Sequence, residues 1–405
     1  MRRKPPRPKY KSVEMTNKDF DFSDIAPHDD SVFRTILDKL IQDPGFLHAI
    51  SYVMPQEDVP ALIDELKRIN NRYDFQHKVM FPFLEMLAKT TTSGITLGGA
   101  KYFNPALNYT FITNHRDIVL DASFLNLTFL RRGWPTSEVA IGNNLLVFDW
   151  ISDLVRLNNS FIVKRNTGLR EGLEAAKKLS AYIHYAIMEK HESVWIAQRE
   201  GRAKDSSDHT QESLIKMLSL GGQGTFMNKI KEINLMPVAI SYEYDPNDYL
   251  KVKEFLLRRR NPDFKKSQRD DLFSMEIGLL KFKGKVHFQL TPRINVRIDE
   301  IGEFKDTNKA AKYVCALIDS AIHRGYEIFP INYVAYDTLH STDRFAHKYT
   351  EEEKQQYLAY FDNQLTKIDV EDITEEEHSF MREMILIMYA NPLKNKLKAI
   401  LGGFE

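Results

Sequence analysis

The chain has 405 residues, 56 Lys+Arg against 56 Asp+Glu, 43% apolar residues and a single cysteine, Cys315. A mean hydropathy of −0.40 excludes a polytopic membrane protein, and the apolar share excludes global disorder. One cysteine excludes a disulfide framework or an all-Cys metal site and points to a reducing cytoplasm, and zero net charge gives no sign of a nucleic-acid partner.

Residues 1–20 read as a basic, disordered arm, with Arg2, Arg3, Lys4, Arg7, Lys9 and Lys11 set among Pro5, Pro6 and Pro8. No apolar stretch of the secretory kind follows it. Such an arm either stays solvated or lies on an anionic membrane, each charge contributing about 1 kcal/mol near the surface. Residues 21–89 form a helical region, with Phe33, Ile36, Leu37, Leu40 and Ile41, then Leu62, Leu66 and Ile69, at helical spacing. Thr90 to Gly94 reads as a loop-rich break.

From residue 90 to about 300 the pattern alternates between strand and helix. Tyr109–Thr113, Phe161–Val163, Val194–Ala197, Leu235–Tyr242 and Lys285–Leu290 are the strand candidates. Asp117 can cap a helix from Ile118 to about Arg132, and Gly168–Lys190 carries a continuous apolar face. Alternation of this kind predicts an α/β core with a mainly parallel βαβ sheet. Residues 301–405 read as helical and acidic, with Glu351–Glu353 and Glu375–Glu377. No run approaches the roughly 18–20 apolar residues of a membrane span.

Four strand ends concentrate charge. The first is Asn114-His115-Arg116-Asp117 with Asp121 beyond it, where a carboxylate on one imidazole nitrogen would make the other a general base. His115-Arg116-Asp117 also spells a kinase catalytic-loop tripeptide, but Ala122 stands where that loop needs Asn, which excludes the kinase reading. The second end presents Lys164-Arg165, and the third Gln198-Arg199-Glu200-Gly201-Arg202-Ala203-Lys204. The fourth is the strand Met236-Pro237-Val238-Ala239-Ile240. Lysines and arginines beside a glycine suit a phosphate. Lys251–Arg269 is a further basic segment, read either as a solvated loop or as a surface for headgroups, coenzyme A phosphates or an acidic carrier protein.

The order of these four blocks resembles the glycerolipid acyltransferase family, whose pattern is His-x-x-x-x-Asp, Phe-Ile-x-Arg, Glu-Gly-x-Arg-Ser and Val-Pro-Val-x-Ile. The likeness covers roughly residues 90–300 and is closest to the glycerol-3-phosphate acyltransferase branch. It implies that branch's fold for the core, and transfer of a fatty acyl group to glycerol 3-phosphate or 1-acylglycerol 3-phosphate (lysophosphatidate). His115 would be the base, with Asp121 or Asp117 as its partner. Arg116, Lys164, Arg165, Glu200, Gly201, Arg202 and Lys204 would form the substrate site. No metal or resident cofactor is implied, the acyl donor being acyl-CoA or an acyl carrier protein thioester. A lipid product implies peripheral attachment at the cytoplasmic face of an anionic membrane. Two departures stand: Asp121 lies six residues after His115 rather than five, and Arg202 lies two after Glu200 rather than three. A non-catalytic lipid-binding role would fit those departures; another lysolipid acceptor, one not dependent on Arg165 and Arg202, is a separate alternative.

Overall fold

The computed structural model describes residues 20–165 and 168–402, so nearly all of the basic arm lies outside the described residues. Of the N-terminal helices α1 (Asp30–Leu40), α2 (Pro44–Val53) and α3 (Val59–Leu66), the first two start on capping aspartates. Asp29 accepts from Ser31 N, and Asp43 accepts from Gly45 N and Phe46 N ahead of a first-turn proline. Phe33, Leu37, Leu40, Leu66 and Ile69 bury together, as their helical spacing predicts. The turn Phe75–Met80 is π-helical and leads into α4 (Phe81–Thr91). The expected loop at Thr90 is therefore the last turn of a helix. Hydroxyls of Thr90, Thr91 and Thr92 donate back to carbonyls of Met86, Leu87 and Ala88, so the threonines finish α4 instead of breaking it.

Seven strands follow: β1 (Gly94–Gly98), β2 (Thr110–Thr113), β3 (Ser137–Gly142), β4 (Ser160–Val163), β5 (Ser193–Ala197), β6 (Leu235–Tyr242) and β7 (Lys285–Leu290). They form one sheet in the order β1-β7-β6-β2-β5-β3-β4. Every pairing is parallel except β6 with β7. The sheet is thus mostly parallel, as expected, and its interleaved helices make the chain an α/β protein. β1 and β3 are absent from the strands expected from sequence.

Period-two alternation assigns the two faces. Ile112, Val194, Ile196, Leu235 and Ala239 face α7 (Leu169–Met188), α8 (Glu212–Leu218), α9 (Phe226–Glu232), α12 (Asn295–Ile301) and α13 (Thr307–Gly325). Phe111, Trp195, Met236, Val238 and Ile240 face α4 and α5 (Leu120–Leu130). Leu173 is an exception to the apolar face expected of α7, being half exposed. Helix α6 (Asp149–Leu157) links β3 to β4 and packs on α1.

Lys251–Arg269 is not a loop between strands. It holds most of α10 (Asp248–Arg260) and the start of α11 (Gln268–Leu280). The C-terminal α14 (Pro330–Leu339), α15 (Glu351–Leu365) and α16 (Glu375–Leu401) pack on α10 through Val252 and Leu256. Arg259 pairs with Glu376, and Arg260 reaches Glu377 at 2.7 Å, so basic and acidic segments distant in sequence neutralise one another. No described helix is long and apolar enough to cross a membrane.

Asp248, at the start of α10, is wholly buried and accepts hydroxyl bonds from Tyr360 (2.7 Å) and Tyr389 (2.8 Å). Burial pushes its carboxyl up to about 6. Between about pH 4 and 6 the folded chain holds a proton there that the unfolded chain has released. The contribution of this group therefore falls as pH rises through that window. Wild type should lose roughly 2–3 kcal/mol more than Asp248→Asn across it, by the shift-to-energy conversion. Urea midpoints of both proteins at pH 4, 5, 6 and 7 check this.

Candidate active site

Loop 114–121 leaves β2 beside its two neighbours in the centre of the sheet. Asn114 fixes that end: its amide donates to Ile240 O at 2.9 Å and accepts from Ile240 N at 2.8 Å. His115 Nδ1 lies 2.7 Å from Asp121 Oδ2. The same oxygen accepts from Arg116 N (2.6 Å) and Asp117 N (3.1 Å), so a fully buried carboxylate is held by three donors. With Nδ1–H on the carboxylate, Nε2 is the nitrogen left to take a proton. The imidazole rests against the Trp195 ring, edge to face, at 5.7 Å.

Of the two candidate aspartates, the structure gives the histidine to Asp121. Asp117 caps the entrance to α5, its Oδ1 accepting from Val119 N (2.9 Å) and Leu120 N (2.8 Å). Gly278 of α11 lies directly over the other oxygen, and a Cβ there would stand 2.0 Å from Asp117 Oδ2. Burial pushes the Asp117 carboxyl up, with the neighbouring Asp121 adding to it. Lys283, buried on the same side, is brought down to about 8 by burial, opposed by the charge of Asp117.

Arg116 does not join the substrate site expected for it. Its guanidinium is buried and donates to Asp208 Oδ2 at 2.5 Å, and the Tyr326 hydroxyl donates to the same oxygen at 2.6 Å. The other candidates line one cavity of about 890 Å³ together with His115. One end is apolar, built from α2, α3, α4 and α6 by side chains such as Phe46, Ile50, Leu66, Val79, Leu84 and Trp150. The other end is cationic.

At the cationic end, Lys164 reaches Asp24 at 2.5 Å, an acid it shares with Lys178. Arg165 donates its backbone N–H to Asn143 Oδ1 at 2.8 Å and stands 3.7 Å from Glu200. Glu200 is exposed, its own N–H held by Gln211 at 2.7 Å. Gly201 turns the loop at φ +68°, a conformation that favours glycine. Arg202 Nη1 is buried and unpartnered. Lys204 pairs with Glu254 at 2.5 Å; burial lowers its ammonium against the opposing pull of Glu254. Arg199, Lys251, Arg258 and Lys266 also line this end and were not singled out as site residues. Arg199 directly precedes the Glu-Gly-Arg block, and the other three belong to the basic segment noted above. Among the described residues no cluster of His, Cys, Asp and Glu suits a metal ion.

Against protein-family models the chain has no match, and against curated protein sequences it has none either.

Breaking the Arg116–Asp208 pair leaves a charge buried alone, which costs about 3–5 kcal/mol. Arg116→Gln should therefore lower the urea midpoint steeply. An unchanged midpoint with weaker binding of a phosphorylated substrate would return Arg116 to the substrate site.

Proposed function

We propose that this chain is a glycerolipid acyltransferase with a glycerol-3-phosphate acyltransferase-like core, moving a fatty acyl group from a thioester to the hydroxyl of glycerol 3-phosphate or its 1-acyl derivative. One observation carries the proposal: a His–carboxylate pair opens onto a cavity that is apolar at one end and cationic at the other. The spacing departure in the first block does not prevent the pairing, because the chain between His115 and Asp121 turns back to bring them within 2.7 Å.

In this mechanism the acyl chain occupies the apolar end and the acceptor phosphate the cationic end. His115 Nε2 removes the hydroxyl proton as that oxygen bonds to the thioester carbonyl carbon. Asp121 stabilises the imidazolium, and such general-base assistance contributes about 10²–10⁴-fold in rate. The tetrahedral adduct then expels the thiolate, which takes the proton from His115 and leaves as the thiol. Ester and thiol are the products, and no enzyme nucleophile intervenes. Cys315 agrees with this: it lies outside the cavity, and burial pushes its thiol up to about 12. Arg165, Arg199 and Arg202 act by orientation, holding the phosphate so that the hydroxyl meets His115. A lipid product places the working enzyme at the cytoplasmic face of an anionic membrane, where the basic arm adds attraction.

Purified protein is given acyl-CoA or acyl carrier protein thioester with glycerol 3-phosphate or 1-acylglycerol 3-phosphate, and ester formation is followed. His115→Ala should lose at least about a hundredfold in kcat with little change in Tm. Full activity in that variant would overturn the assigned base. Arg202→Gln should raise KM for the acceptor more than it lowers kcat. An acceptor without phosphate, such as another lysolipid, should be indifferent to that change.

A further inference from the structure

The cations around the cavity fall into groups with different partners. Lys164 and Arg165 follow β4, the sheet edge, and engage Asp24 and Glu200. A second group has a single centre, Glu254 of α10, whose side chain is only 2% exposed. Lys204 approaches it at 2.5 Å, Arg258 at 2.9 Å and Lys266 at 3.4 Å. Lys266 also comes within 4.0 Å of Asp271, so three cations face two carboxylates. All three cations line the cavity.

Lys164 and Arg165 follow β4, Glu254 lies on the helix that follows β6, four strands away in the sheet order, and the loop after β5 with Arg199, Arg202 and Lys204 runs between them. β2, carrying His115, lies between β4 and β6. The two groups are held by different acids, Asp24 and Glu200 for the first, Glu254 with Asp271 for the second. The reaction proposed above has two phosphorylated reactants, because coenzyme A and carrier proteins both present their thioester on a phosphopantetheine arm.

We infer that Lys204, Arg258 and Lys266 around Glu254 form a second anion subsite that receives the phosphate of the donor's phosphopantetheine arm, separate from the acceptor subsite of Arg165, Arg199 and Arg202. This rests on the acyltransferase reading. Glu254 gathers the three cations and offsets only part of their charge, leaving an attraction for an incoming phosphate. The donor then runs from this subsite past His115 into the apolar end, and the acceptor meets the thioester from the side of Arg165.

The test is calorimetric titration of the intact chain with coenzyme A, 4′-phosphopantetheine and glycerol 3-phosphate, at fixed low salt. Arg258→Gln/Lys266→Gln should weaken coenzyme A by about tenfold or more, the loss of a charge-assisted bond, with glycerol 3-phosphate little changed. Glu254→Gln should do the opposite and tighten coenzyme A several-fold, a gain that a purely structural role would not produce. Equal weakening of 4′-phosphopantetheine assigns the subsite to the phosphate common to both donor types. Weakening of coenzyme A alone moves it to the adenosine phosphates and overturns the assignment to the arm. Unchanged coenzyme A affinity, or parallel loss of glycerol 3-phosphate, also overturns the separate subsite. If the double variant does not fold, Lys266→Gln is read in its place. Absence of acyl transfer with variant-sensitive coenzyme A binding would defeat the acyltransferase reading and leave the subsite standing.

Discussion

A charge taken out of water must be matched nearby, and the loops at the strand ends are built around that requirement. Asp121 is buried, and its Oδ2 takes an imidazole and two backbone N–H groups. Arg116, the next side chain after that imidazole, is matched by Asp208, and Lys251 by Asp245. His115 is held by its Nδ1 contact with Asp121 and by the ring of Trp195.

The N-terminal helices give the cavity its other character. On their own they would form a small helical cluster around Phe33, Leu37 and Phe75. Members of that cluster such as Ile50 and Val79 also line the cavity, beside Trp150 of α6. An apolar wall from one region and a charged wall from another meet at His115. Neither region makes an amphipathic cavity alone.

Much of this was legible in the sequence. β2, β4, β5, β6 and β7 announced themselves as apolar or alternating runs, and His115 with a nearby carboxylate was visible as chemistry at a strand end. β3 was missed because Ser137-Glu138 opens it with polar residues. Glu138 is tolerated inside only through Tyr182 and Lys190, which local pattern does not reveal. β1 was missed because threonine and glycine at a sheet edge look like a loop. The fate of Arg116 was equally hidden, since Asp208 lies 92 residues away. Choosing between Asp117 and Asp121 needed the direction of the loop, although the aptitude of Asp117 for capping already favoured Asp121.

The one antiparallel pairing, β6 with β7, decides which side of the sheet each connection occupies. Because β7 runs backwards, the chain must approach it from the end where β2 and β6 finish. The approach is α11 followed by Lys283, and it brings Gly278 down onto Asp117. Had β7 been parallel, that passage would have run to the opposite rim, away from loop 114–121. β1, parallel to β7, delivers its exit and residues 99–108 to the opposite rim. Chain length can therefore vary there without touching the His115–Asp121 pair, whereas the stretch between β6 and β7 has almost no freedom to change.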